Sequence, residues 1–331
     1  MYRSDRYSRI DHTDRGPVVV TIATAVMLAV AVSCVAGHDK KKNDTVTSAK
    51  TPSTQSTLAG DVVPPIAVAQ EPVTFASATN TYNKRQYRDA TTAFDTYVQE
   101  HPNNAFGHYM LGLSAWKSGD LTRARSAFER SLELDSTNVK TLLNLGRVLL
   151  DQNQVDDAAV RIAEAVRIDS GSAETHRMMA RVQAARGQRD SAMVSYRVAM
   201  SIDTADSWSM NNLGLLLIEQ GRYEEALSPL ARAVELRPEA PAFANNLGVA
   251  LERTGHPKAA ADAFRSALTA DSTYKKATLS LARVEEKAKS DTTTIDVSAL
   301  ASSFNQELQD ARKTRVMAKG GVKPDSVKPE R

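Results

Sequence analysis

The sequence predicts an all-α repeat protein, a row of helix pairs stacked side by side, and three observations predict it. The chain is self-similar with a period of 34 residues, without insertion, over 71–104, 105–138, 139–172, 173–206, 207–240 and 241–274. Small residues recur at repeat position 8 (Ala78, Gly112, Gly146, Ala180, Gly214, Gly248) and position 20 (Ala90, Ala124, Ala158, Ala192, Ala226, Ala260). Large apolar residues recur at position 7 (Leu111, Leu145, Met179, Leu213, Leu247) and position 24 (Phe94, Phe128, Ile162, Tyr196, Leu230, Phe264). Position 15 holds Gly119, Asn153, Gly187, Gly221 and Gly255, residue types that accept the left-handed backbone ending a helix. A small residue lets two helices approach where a larger one would part their axes, and the large residues fill the space that remains. The first repeat has Ser77 at position 7 and Arg85 at position 15, so its first helix is expected to be the weakest.

Ahead of the repeats, residues 1–36 form a signal or anchor segment. Arg3, Arg6, Arg9 and Arg15 precede an uncharged run from Pro17 to Gly37, the layout of an export signal. The chain's only cysteine, Cys34, ends the stretch Val30-Ala31-Val32-Ser33-Cys34. That ending resembles the bacterial lipobox, which implies lipidation of Cys34 and a place in the bacterial cell envelope, with Val35 pointing to the outer membrane. Two other readings stand beside it. One is an uncleaved single-pass inner-membrane anchor, since about 20 apolar residues span a bilayer, and the other is an ordinary secretory signal. Residues 37–70 are rich in Thr, Ser, Lys, Pro and Ala and read as a disordered tether with a root-mean-square reach of about 30 Å.

Beyond the sixth repeat, 275–289 continues as one more first-type helix, with Ala282 at position 8. A last helix over about 297–317 falls six residues out of register and sets Leu300, Phe304 and Leu308 on the core positions of a degraded seventh repeat. Its apolar stripe serves either to cap the open end of the stack or to form a dimer. Residues 319–331 are expected to be a disordered tail.

The recurring residues resemble the tetratricopeptide repeat, and 71–274 is identified as a member of that family. The resemblance implies a right-handed α-solenoid of about six helix-turn-helix repeats plus a capping repeat, with the first helix (A) of each pair lining a concave groove. Repeat position 32, usually proline in the family, is Pro only at 102 and 238. Ser136, Ser170, Thr204 and Ser272 stand elsewhere, mostly after Asp, and are expected to cap the next helix and allow a turn. Positions 2, 5, 6, 9, 12 and 13 of the A helices face the groove by resemblance. They supply Asn144, Asn212 and Asn246 at position 6, with Asn211 and Asn245 beside them. An amide both donates and accepts, so a row of them suits the main chain of an extended peptide. Lys140, Arg147, Arg177, Arg181, Lys276 and Arg283 lie around that row, and fork-shaped guanidinium groups suit a carboxylate or phosphate. The Lys-Asn, Asn, Lys-Arg clamp of the family's chaperone-tail binders is incomplete, because only Asn144 matches. Trp116 and Trp208 are either anchors for a partner or packing between repeats.

Composition narrows the function. Residues 71–290 carry 27 basic against 27 acidic residues, and aromatic residues make up 5% of the chain, which argues against nucleic acid as a partner. One cysteine and scattered histidines give no zinc cluster, and no phosphate loop or nucleophile elbow is present, so no cofactor, metal or catalytic role is expected. The expectation is a non-enzymatic, membrane-tethered adaptor that binds a protein or peptide segment in its groove, in envelope assembly, secretion or pilus biogenesis. Two alternatives remain: a glycan-binding envelope module of exopolysaccharide export, and a cytoplasm-facing scaffold on an uncleaved anchor.

Overall fold

A computed structural model describes residues 73–320; the segment 1–36, the linker 37–70 and the tail beyond Gly320 lie outside the described residues. Each repeat is a pair of helices: α1 (Phe75–Asn83) with α2 (Tyr87–Glu100), α3 (Ala105–Ser118) with α4 (Leu121–Leu134), and α5 (Val139–Asp151) with α6 (Val155–Ile168). Three more pairs follow: α7 (Ala173–Ala185) with α8 (Arg189–Ile202), α9 (Ser207–Glu219) with α10 (Tyr223–Leu236), and α11 (Pro241–Arg253) with α12 (Pro257–Ala270). Then come α13 (Lys275–Lys289) and α14 (Val297–Gly320). Through α13, each helix packs on the one before it, giving an α-solenoid with no strand among the described residues.

The recurring small and large residues meet as pairs. Phe128 and Phe264 are fully buried, and a Cβ added to Gly112 or Gly248 would lie 2.6 Å or 2.5 Å from the facing ring. Bulk at position 24 therefore requires a small residue at position 8, and where alanine stands at 180 it is buried with Tyr196 in the same cluster. The turn between helices repeats as well. Position 15 has positive φ in all six repeats, including Asn153 at 60° and Arg85 at 61°. Arg85 takes up the strain that glycine avoids elsewhere, and α1 is the shortest helix at 9 residues. Arg85→Gly is expected to stabilise the first repeat by about 1 kcal/mol, read as slower hydrogen exchange in α1.

The loops between repeats correct one expectation. The helix caps sit at position 34, where Asn104, Asn138 and Asp206 accept from the backbone N–H three residues on, at Gly107, Thr141 and Ser209. Ser136, Ser170, Thr204 and Ser272 stand outside these caps. The turn is made by the residue before them: Asp135, Asp169, Asp203 and Asp271 each accept the N–H two residues on. Where proline stands instead, at 102 and 238, the preceding residues are His101 and Arg237. An aspartate that folds its own backbone into a turn thus replaces the fixed φ of proline.

The C-terminal end also differs from its expected register. Phe304 and Leu308 are buried and Leu300 is half-buried, yet α14 lies on α10 and α8 instead of pairing with α13. Residues 290–296 cross to α12, where Asp291 accepts from Lys258 N–H at 2.9 Å and Thr293 meets His256. That backbone bond, with a second from Thr293, holds the Asp291 carboxyl below the usual aspartate range. From there α14 runs back along the second (B) helices, where Gln309 bonds Thr204 and Arg315 bonds Ser201. The reason lies in α10: position 25 is Ala231, buried, where the neighbouring repeats carry the exposed Arg197 and Arg265. A smooth surface on α10 attracts the apolar stripe of α14.

Candidate functional site

The A helices place the predicted groove residues on one face, and the structure shows what each of them touches. Asn144, buried on α5, donates to the Tyr109 hydroxyl on α3 at 3.2 Å and accepts from Arg147 at 2.6 Å. Arg147 reaches Glu174 on α7 at 2.5 Å, and Glu174 also lies 3.9 Å from Arg177. Arg177 in turn donates at 2.7 Å to Asp206, the N-cap of α9. A continuous polar ladder therefore links four successive A helices, alternating cation and anion. Burial raises the Tyr109 hydroxyl above its ordinary range, despite the lowering effect of its bond from Asn144.

This ladder corrects the reading of the arginines as open forks. Arg147 and Arg177 are engaged by the next repeat, and Arg283 makes a two-pronged pair with Glu252 at 2.8 and 2.6 Å, a bond that raises its pKa. Arg181 is 5% exposed with its guanidinium 3.4 Å from the Met178 sulfur, so it does not stand open in the groove. Lys140 and Lys276 are exposed at position 2 of their repeats. The indoles are engaged between repeats too. Trp116 donates to Asp151 at 2.9 Å, and Trp208 packs edge-on to Phe243 with Arg237 over its ring. The observation that would favour sugar stacking is thereby lost.

The predicted amides of α9 and α11 are mostly buried: Asn211 is 0% and Asn212 8% exposed, and Asn246 is half-buried. Asn246 donates to Asn211 at 2.9 Å, and Asn211 donates to Asn212 at 3.3 Å, so the pairs on α9 and α11 form one cluster. Asn245 is 6% exposed, and its side-chain oxygen has no hydrogen-bond partner. Around the cluster, Leu215, Ile218 and Val249 on α9 and α11 are half-buried, as are Leu113 and Leu150 on α3 and α5.

Sequence reasoning missed the acidic halves of these pairs, Glu174, Asp206, Glu252 and Asp151, and the hydroxyl of Tyr109. The signal was present: Glu174 and Glu252 occupy groove positions 2 and 12, one repeat away from an arginine at position 9. Among the described residues, no group of three His, Cys, Asp or Glu could hold a metal ion.

Family models described as tetratricopeptide repeat match residues 75–139, 115–182 and 211–275, together more than half of the chain. The chain belongs to the tetratricopeptide repeat family. No curated protein sequence matches it. Among solved structures, this tetratricopeptide protein is similar to MamA, at 22% identity over 58% of this chain and 98% of that one, with a TM-score of 0.42. YrrB, described as having an unusual peptide-binding site, aligns at 21% identity over 56% of this chain and 96% of that one, with a TM-score of 0.42. The Cut9–Hcn1 assembly of the APC/C aligns at 17% identity over 74% of this chain and 47% of that one, with a TM-score of 0.56. At these identities the likeness concerns the fold, and the comparisons indicate no catalytic family.

Proposed function

We propose that this chain is a non-enzymatic adaptor, tethered to a bacterial envelope membrane through Cys34, whose A-helix groove holds an extended protein segment across repeats 5 and 6. The observation that carries the reading is the amide cluster, in which Asn246 of α11 donates to Asn211 of α9 and Asn211 donates to Asn212. The half-buried Asn246 amide offers a donor and an acceptor to an incoming main chain, and the half-buried Leu215, Ile218 and Val249 receive apolar side chains beside it. Extended main chain offers a donor and an acceptor at each residue, which suits a surface of amides over one of charges. The tether rests on the lipobox resemblance at Val30–Cys34 and supports an outer-membrane location.

The test is photo-crosslinking from native membranes with a benzophenone side chain at position 215 or 249. A cross-linked protein is expected with the parent, and its yield should fall at least about tenfold, the equivalent of about 1.4 kcal/mol, when Asn212, Asn245 and Asn246 are replaced by alanine in a still-helical variant. Equal yield from that variant refutes the groove. In the same membranes, the mature protein should carry the mass of a chain beginning at acylated Cys34, and an unprocessed chain would refute the lipid tether.

A further inference from the structure

We infer that Glu174 sets the charge preference of the groove: it fills the arginine forks that an acidic segment would otherwise occupy, so the array selects uncharged segments rich in apolar side chains. This inference rests on the proposed groove for the apolar half of its content, while its acidic half stands on the ladder alone.

Arg147 and Arg177 come from neighbouring A helices, α5 and α7, and both face Glu174. Two adjacent guanidinium groups on a groove face would form a ready site for a carboxylate or phosphate. Here the site arrives filled. Glu174 contacts Arg147 at 2.5 Å, and Asp206 holds Arg177 at 2.7 Å, so two cations meet two anions and the local charge is balanced. The exposures give the direction of access. The Glu174 side chain is 43% exposed, whereas Arg147 and Arg177 are 15% and 20% exposed. An anion approaching the ladder meets a carboxylate first and must displace it to reach either fork. Repulsion built against the wrong ligand is a common source of specificity. Further along the face, Arg283 is also paired, with Glu252, but there the arginine is the more exposed partner, at 55% against 20%. Half-buried apolar side chains also lie along the A helices: Leu113, Leu150, Leu215, Ile218 and Val249.

The experiment compares pools of short peptides binding to the intact protein by fluorescence anisotropy. One pool is built from Ala, Val, Leu, Ser and Asn; a second has the same residues with three glutamates; a third has three lysines. The wild type is expected to favour the neutral pool over the acidic one by about tenfold or more, with little change between about 0.05 and 0.5 M salt, a range in which screening would weaken charge recognition. Glu174→Gln keeps the side-chain shape and removes the charge. It should gain at least about tenfold for the acidic pool, with steep salt dependence, and adding Arg147→Gln should abolish that gain. Acidic peptides binding the wild type as well as neutral ones overturn the inference. So does a folded Glu174→Gln protein that gains nothing, or a gain that survives Arg147→Gln. If the neutral pool fails to bind while Glu174→Gln still gains acidic peptides, the groove reading fails and the assignment of Glu174 stands.

Discussion

Phe128→Ala is expected to destabilise the array by about 3–5 kcal/mol, the range for emptying a fully buried aromatic site. Phe128 is wholly buried against Gly112, with Ala124 and Leu132 in the same core cluster. Each repeat touches mainly its neighbours, so the loss falls on repeat 2 and its two interfaces, and it should appear as early unfolding of that region under urea. The companion substitution separates packing from simple loss of surface. Gly112→Ala adds a methyl 2.6 Å from the Phe128 ring. Overpacking of this kind costs about 1–3 kcal/mol, and the better helix propensity of alanine returns about 1 kcal/mol. Combining Gly112→Ala with Phe128→Leu should cost less than the sum of the two, because each relieves the other. Additive costs in urea unfolding would mean that positions 8 and 24 do not form a complementary pair. The repeats already vary this pair naturally, with Gly146 facing Ile162 and Gly214 facing Leu230.

Those pairs explain why the fold was legible. A 34-residue period with fixed small and large positions leaves one way to stack helices, and even the positive φ of position 15 was written in its glycines. Arg85 shows the limit of residue-type reasoning, since it adopts the same conformation without the residue that eases it. The end of the array was less legible. The stripe of Leu300, Phe304 and Leu308 was visible, but its target, α10 with α8, lies far back along the chain and outside the repeat register. The groove was the least legible part. An arginine at position 5 or 9 of a repeat reads as solvent-facing when its helix is considered alone. Its partner stands on the next A helix, 27 residues away for Arg147 and Glu174 and 29 for Arg177 and Asp206. Pairs at nearly one period are the register in which neighbouring A helices meet. The family resemblance therefore named a face while leaving open whether its charges recognise a partner or join the repeats.

Asp206 is where that second role should be most costly to remove. Its side chain is 1% exposed, accepts from Arg177 and from Ser209 N–H, and accepts from the Ser209 hydroxyl at 2.6 Å. Asp206→Ala removes the N-cap of α9, worth about 1 kcal/mol, and takes the carboxylate away from a largely buried guanidinium, which adds about 1–3 kcal/mol once partial exposure is allowed for. Asp206→Asn keeps the cap and discards the charge, so it should show the second part alone. The two variants are expected to separate by about 1 kcal/mol in thermal unfolding, with hydrogen exchange accelerated in the first turn of α9 only for alanine. Identical losses would show that the cap contributes nothing and that the ion pair accounts for the whole effect. Glu174 adds a further condition, because it lies 3.9 Å from Arg177 and can move to pair with it when Asp206 is neutral. Glu174→Gln should therefore make Asp206→Asn worse than additive, and a strictly additive double variant would mean that the ladder is a set of separate pairs without shared charge.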